Sequence, residues 1–206
     1  GDAQTAAVDD ANALFWNPAG LAALRQNEVS FMRNTSFQSV SQNVLYYAHP
    51  TQNKGTLGAG LSMLKVGDIV GYDAGGTETG DLSASDTLLT FAWGRPWENA
   101  PLLPGIQTGV SVKLLQKKLA QDSASATMAD LGLLYESKEG FFQRLRTGFV
   151  IQNLGTGLMF ISEKSSLPTT MKLGWSYPFF GDNLLAAVDL VNPVDDKFHV
   201  NLGVDY

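Results

Sequence analysis

The sequence predicts an all-β protein: an antiparallel transmembrane β-barrel with an N-terminal plug, or hatch. Three observations carry that reading. Residues 28–206 divide into about ten short runs of period-two alternation separated by turn residues. Residues 9–22, Asp-Asp-Ala-Asn-Ala-Leu-Phe-Trp-Asn-Pro-Ala-Gly-Leu-Ala, do not alternate. The faces opposite the apolar ones hold Gly, Ser and a few charges, and charged residues make up only 17% of the chain, against ~25% in soluble domains. Two regions follow, a hatch over 1–27 and the barrel strands over 28–206.

In the first region Ala and Leu favour helix on either side of Trp16. Asn17 is pushed out of the helical region by Pro18, so the segment kinks there. The strands that follow are expected near 28–37, 42–49, 55–66, 86–95, 105–119, 126–137, 143–153, 169–178, 183–191 and 198–206. In the last, Phe198, Val200, Leu202, Val204 and Tyr206 share one face, and His199, Asn201, Gly203 and Asp205 the other. Water would half-bury such a strand; a bilayer would put its apolar face to lipid and its polar face to the lumen. The same alternation runs through Leu57–Met63, Gly109–Leu114, Leu145–Gln152 and Met171–Tyr177.

The turns at 52–55 and 180–183 are short, and the connections 67–85 and 154–168 are long and polar. Pro96, Pro101 and Pro104 make 97–104 a connection. Short turns alternating with long ones suit an outer-membrane barrel. So do aromatic residues near strand ends: Phe37, Tyr46, Tyr47, Trp93, Trp97, Tyr135, Phe141, Phe142, Trp175, Tyr177, Phe179 and Phe180 match an interfacial girdle.

Composition excludes several classes. With 206 residues the chain can form one domain with a sizeable core. A net charge of −6 argues against nucleic acid as a partner; Lys117-Lys118 and Arg144/Arg146 are too small to reverse it. No window reaches the ~20 apolar residues of a spanning helix. There are no cysteines, hence no disulfide framework and no thiolate metal site. The chain begins at Gly1 with no leader, which reads as a processed or truncated product.

No enzyme is expected. His49 and His199 stand far apart in sequence, and no nucleophile elbow, phosphate loop or metalloprotease motif occurs. Gly75-Gly76 is a loop turn. Asp9-Asp10 reads as a helix cap and Asp195-Asp196 as a turn; neither is assigned a metal, and no cofactor is expected. Lys113, Asp130, Arg146, Lys172, Asp189 and Asp205 fall on polar strand faces. Charges inside a barrel must pair or meet water, so a paired network is expected, partly touching the plug. It reads either as a brace or as a transport path.

The run Val8-Asp9-Asp10-Ala11-Asn12-Ala13-Leu14-Phe15-Trp16-Asn17-Pro18-Ala19-Gly20-Leu21-Ala22 resembles the start of FadL-like outer-membrane transporters, especially their PorV/PorQ-like branch. Asp130–Tyr135, Ile151–Thr156 and Leu167–Thr170 are similar to later segments of that family. The resemblance implies a bacterial outer-membrane location, contact with outer-membrane lipid, and passive passage of hydrophobic small molecules. It makes Trp16, Asn17, Pro18, Ala19 and Gly20 the hatch or gate. It also implies a barrel of ~14 strands, of which this chain would form an incomplete portion. The alternative is a barrel that transports nothing and anchors other envelope proteins in a secretion or surface-attachment assembly. A soluble β-sandwich binding module is a third reading, with its apolar faces inward.

Overall fold

A computed structural model describes the chain except residues 1, 37–39, 73–74, 102, 121, 161–162, 166 and 181–182. Phe37, expected in the aromatic girdle, lies outside the described residues, as do Asp73 and Ala74 of the connection 67–85 and the middle of the turn 180–183.

The body is an antiparallel up-and-down meander. Its first seven strands are β1 (Glu28–Thr35), β2 (Val40–Thr51), β3 (Gly55–Tyr72), β4 (Glu78–Trp97), β5 (Ile106–Leu119), β6 (Asp122–Glu136) and β7 (Arg146–Gly155). A short hairpin, β8 (Leu158–Phe160) with β9 (Glu163–Ser165), interrupts the series. The sheet continues with β10 (Thr170–Phe179), β11 (Leu184–Pro193) and β12 (His199–Asp205). The ten long strands lie in chain order, each bonded to the next. Every neighbour in sequence is thus a neighbour in space, as tight turns between antiparallel strands require.

The expected barrel is not closed. β1 and β12 each pair with one neighbour only. Closure requires strand number, tilt and shear to agree, and here the N-terminal segment lies across the face of the ten-stranded sheet. Two expected loops are largely strand. β3 runs on to Tyr72 and β4 begins at Glu78, so most of 67–85 is a long hairpin, with register shifts between Val66 and Ile69 and between Gly71 and Tyr72. Gly and Thr there mimic a loop in composition, yet backbone pairing satisfies the chain. The connection 154–168 likewise contains the β8–β9 hairpin.

The N-terminal segment covers one face of the sheet. It holds a single helical turn, α1 (Ala13–Trp16), and a 3-10 stretch, η1 (Pro18–Ala23), broken by Asn17 in extended conformation. This is the kink that Pro18 dictates. The helix begins at Asn12 without a side-chain cap of its own. Asp10 instead accepts from the Asn12 N–H at 2.9 Å.

A row of glycines receives the segment. Gly94 pairs with Gly109, Gly109 with Gly132, and, two residues along, Gly148 with Gly174. A methyl on Gly94 would lie 2.7 Å from the Pro18 carbonyl oxygen. On Gly109 it would strike the backbone of Pro18 and Ala19, on Gly132 the Asn17 side chain, and on Gly148 the Thr5 carbonyl. Gly58 and Gly60 of β3 lie under Leu14, and Gly203 of β12 under Ala3. The segment therefore crosses the sheet from β12 to β3 in direct contact with its backbone. Leu14, Leu21 and Val8 join Val44, Tyr46 and Ala92 in the main apolar cluster. Burying each large side chain there contributes about 1.5–3 kcal/mol. Tyr46, expected in a girdle, is one of these buried residues, because its place in β2 puts it on the covered face.

Gly109→Val should be destabilising by about 1–3 kcal/mol through overpacking. Thermal unfolding followed by tryptophan fluorescence measures this, and Val110→Ala on the opposite face should cost much less.

Candidate functional site

The covered face carries the candidate site, assembled from inward positions of β5, β6, β7, β10 and β11 and from the N-terminal segment. Asn17 is its pivot. Its Nδ2 donates to the Thr5 carbonyl at 2.8 Å and to the Leu133 carbonyl at 3.2 Å, and its Oδ1 accepts from the Ala19 N–H at 3.1 Å. A fully buried amide is thereby satisfied, which offsets its desolvation. Pro18 and Ala19 lie over Gly94, Gly109 and Gly132. Gly20 admits no side chain, because a Cβ would meet the Val8 carbonyl oxygen at 2.6 Å. Trp16 is partly buried against the apolar cluster and stacks edge-on with Phe15.

Sheet side chains hold the segment mostly by its backbone. Asp189 Oδ2 accepts from the Thr5 N–H at 2.9 Å and from the Thr5 hydroxyl at 2.7 Å. Arg146 donates to the carbonyls of Ala7 at 2.9 Å and Val8 at 3.0 Å, and lies 3.4 Å from the Asp9 carboxylate. Gln152 Nε2 donates to the Phe15 carbonyl at 2.7 Å and the Trp16 carbonyl at 3.1 Å. The Lys172 ammonium sits 5.2 Å above the Trp16 ring, within cation–π range.

Lys113 and Asp130 form a buried ion pair of 2.6 Å, with side-chain exposures of 5% and 0%. Asp130 also accepts from the Ser111 hydroxyl at 2.8 Å and the Asn153 N–H at 2.9 Å. The register between β6 and β7 shifts here: Ala129 pairs with Leu154 and Leu131 with Ile151. Gln152 and Asn153 thus oppose Asp130 alone, which makes a β-bulge. Asn153 adopts φ 60°, a left-handed conformation that Asn tolerates better than most residues. The Asp130 carboxylate takes the N–H that the ladder leaves unpaired.

Of the six charges read from the sequence, Lys113 and Asp130 meet each other. Arg146, Lys172 and Asp189 meet the N-terminal segment. Asp205 does neither among the described residues; it is exposed at the end of β12 and accepts from the Tyr206 N–H. Sequence reasoning missed Thr5, Ser111, Gln152 and Asn153. Ser111 and Gln152 share the parity of the polar faces, so that signal was present; nothing local marks Thr5 or the bulge at Asn153. His49 Nδ1 lies 2.8 Å from the Asn27 amide oxygen, and His199 Nδ1 lies 3.1 Å from the Lys197 carbonyl. Both are exposed and they stand on different strands. Among the described residues no group of acidic or His side chains is arranged to hold a metal.

The matched family model spans residues 1–133, from the N-terminal segment through most of β6. The chain belongs to the uncharacterised protein family UPF0164. No curated protein matches it. The UPF0164 match contains the whole Trp16–Gly20 motif, the glycines Gly94, Gly109 and Gly132 that receive it, and both partners of the Lys113–Asp130 pair.

Asp130→Ala should destabilise the fold by about 3–5 kcal/mol, because it strands a buried ammonium. Lys113→Met combined with Asp130→Leu should recover only part of that loss, because it removes the stranded charge but leaves the Ser111 hydroxyl and the Asn153 N–H without their acceptor. Urea unfolding of the wild type, the single and the double variant makes the comparison.

Proposed function

We propose that this chain forms the wall of a bacterial outer-membrane β-barrel of the FadL-like kind, with its N-terminal segment as the hatch. Its function is then passive passage of hydrophobic small molecules across that membrane. One observation carries the reading: the open face of the sheet is apolar, whereas the covered face holds, beside its apolar cluster, the buried charges. Leu89, Phe91, Val110, Val112, Leu131 and Leu133 point away from the N-terminal segment and are all 41–56% exposed. Lys113, Asp130 and Asp189 on the other face are at most 4% exposed. Water alone would favour the reverse, whereas lipid outside and a polar interior accommodate both faces.

Outward aromatic residues support the same reading. Tyr47, Trp93, Trp97, Tyr135, Trp175, Tyr177 and Phe179 stand toward the strand ends that meet the turns 52–54, 98–105, 137–145 and 180–183. Aromatic rings gather at the headgroup level of a membrane. In this reading Trp16–Gly20 is the gate and outer-membrane lipid is the immediate partner.

The close packing of Asn17–Gly20 against the sheet favours a second reading, a barrel that anchors other envelope proteins and passes nothing. A hatch held by Asp189, Arg146 and Gln152 must break several bonds to move.

A semi-native gel of outer-membrane fractions tests the membrane reading: a faster unheated band that shifts on boiling is expected. Uptake of a fluorescent acyl-chain probe into proteoliposomes then separates the two functions. Transport predicts uptake above empty liposomes and a higher rate in Asn17→Ala, which frees the hatch from β6. Uptake equal to empty liposomes in both proteins leaves the anchor.

A further inference from the structure

We propose that a cleft at the rim formed by the turns 52–54 and 98–105 binds the phosphate of a membrane-lipid headgroup between Arg25 and Arg95. The proposal rests on the membrane reading above and adds to it a lipid site that spans hatch and wall.

The cleft measures about 560 Å³ and opens where the N-terminal segment leaves the covered face. Leu24 and Arg25 line it from the end of that segment, Thr51 from β2, and Arg95 and Trp97 from β4. It therefore joins the last residues of the hatch to the sheet. Arg25 and Arg95 both line it, and no ion pair among the described residues involves either. Glu98 is the single carboxylate in its lining, so the cleft carries a local positive charge on a chain whose net charge is −6.

Arg95 is preorganised for an anion. Its guanidinium carbon lies 4.7 Å from the centre of the Trp97 ring. That ring is itself held, because Trp97 Nε1 donates to the Thr108 hydroxyl at 2.8 Å. A guanidinium held beside an aromatic ring retains N–H donors that can bond phosphate oxygens. Trp93, two residues earlier on the same face of β4, is fixed as well, its Nε1 donating to the Lys54 carbonyl at 2.6 Å. Trp93 and Trp97 thus hold Arg95 within an aromatic belt, and such belts lie at the depth of lipid headgroups. Phosphate is the anion concentrated at that depth. Arg25 approaches from the hatch side, so one bridging phosphate would tie the exit of the hatch to the wall.

The test uses the full chain in detergent micelles, loaded with equal amounts of phosphatidylglycerol and monogalactosyl diacylglycerol, a neutral lipid without phosphate. Native mass spectrometry after stepwise delipidation reads which lipid stays. The wild type is expected to retain phosphatidylglycerol preferentially, and Arg95→Gln or Arg25→Gln to lower that preference about tenfold, the effect of losing one charged hydrogen bond. Arg95→Lys should fall between, because it keeps the charge and loses the fork. Equal retention of both lipids by the wild type, or an unchanged preference in the double Gln variant, overturns the site. Displacement of the lipid by millimolar inorganic phosphate overturns the lipid assignment and leaves a site for free phosphate. The heat-dependent gel shift is recorded for every variant. Its absence in the wild type means that the membrane reading has failed, whereas its presence without lipid preference means that only this site has.

Discussion

Direct approach of the N-terminal backbone to the sheet backbone is the constraint on which the rest of the structure depends. The segment lies on Gly94, Gly109, Gly132, Gly148 and Gly174 with no room for a methyl group between. Contact at that distance lets side chains of the sheet reach main-chain groups. Arg146, Gln152 and Asp189 bond the backbone around Thr5–Val8 and Phe15–Trp16. Larger residues in the row would lift the segment out of reach and leave those polar groups buried and unpaired, which costs more than the bonds themselves contribute. The glycines thus set the position of the kink, and the kink sets the position of Asn17.

The second organising feature is the local irregularity around Asp130. A bulge, a left-handed Asn153 and a buried ion pair coincide at one point of the β6–β7 seam. Each alone would be costly, since a bulge forfeits a ladder bond and a lone buried ammonium is strongly unfavourable. Together they compensate one another: the bulge presents an N–H, the carboxylate accepts it, and the same carboxylate neutralises Lys113. Asn153 extends this arrangement outward, since its carbonyl accepts from the Thr169 hydroxyl and its amide donates to the Pro168 carbonyl. The start of β10 is thereby tied to the charged centre of the covered face.

Much of this was legible from residue order. Alternation placed all ten long strands, because a period of two survives whichever solvent meets the apolar face. The kink at Asn17-Pro18 follows from local sterics, and the inward positions of Lys113, Asp130, Arg146, Lys172 and Asp189 follow from parity. The hairpin over 67–85 was not legible, since Gly and Thr serve a loop and an exposed strand equally well. Tyr46 was misread because an aromatic residue near a strand end suits a rim or a core, and only the cluster around Leu14 decides. Thr5 gave no signal at all: it acquires a role solely because the segment is carried across to β11.

By itself the sequence determined the all-β meander, the helical kink before it, and the chemical contrast between the two strand faces. These depend on local backbone sterics and on the alternation of side chains, both written in residue order. Tertiary structure decided which face the N-terminal segment covers, which charges pair, and that the sheet stays open between β1 and β12. The placement of the N-terminal segment depends on contacts between residues more than a hundred positions apart, as between Thr5 and Asp189 or Asn17 and Leu133, and the Lys113–Asp130 pair on the register of two neighbouring strands; no local pattern encodes either.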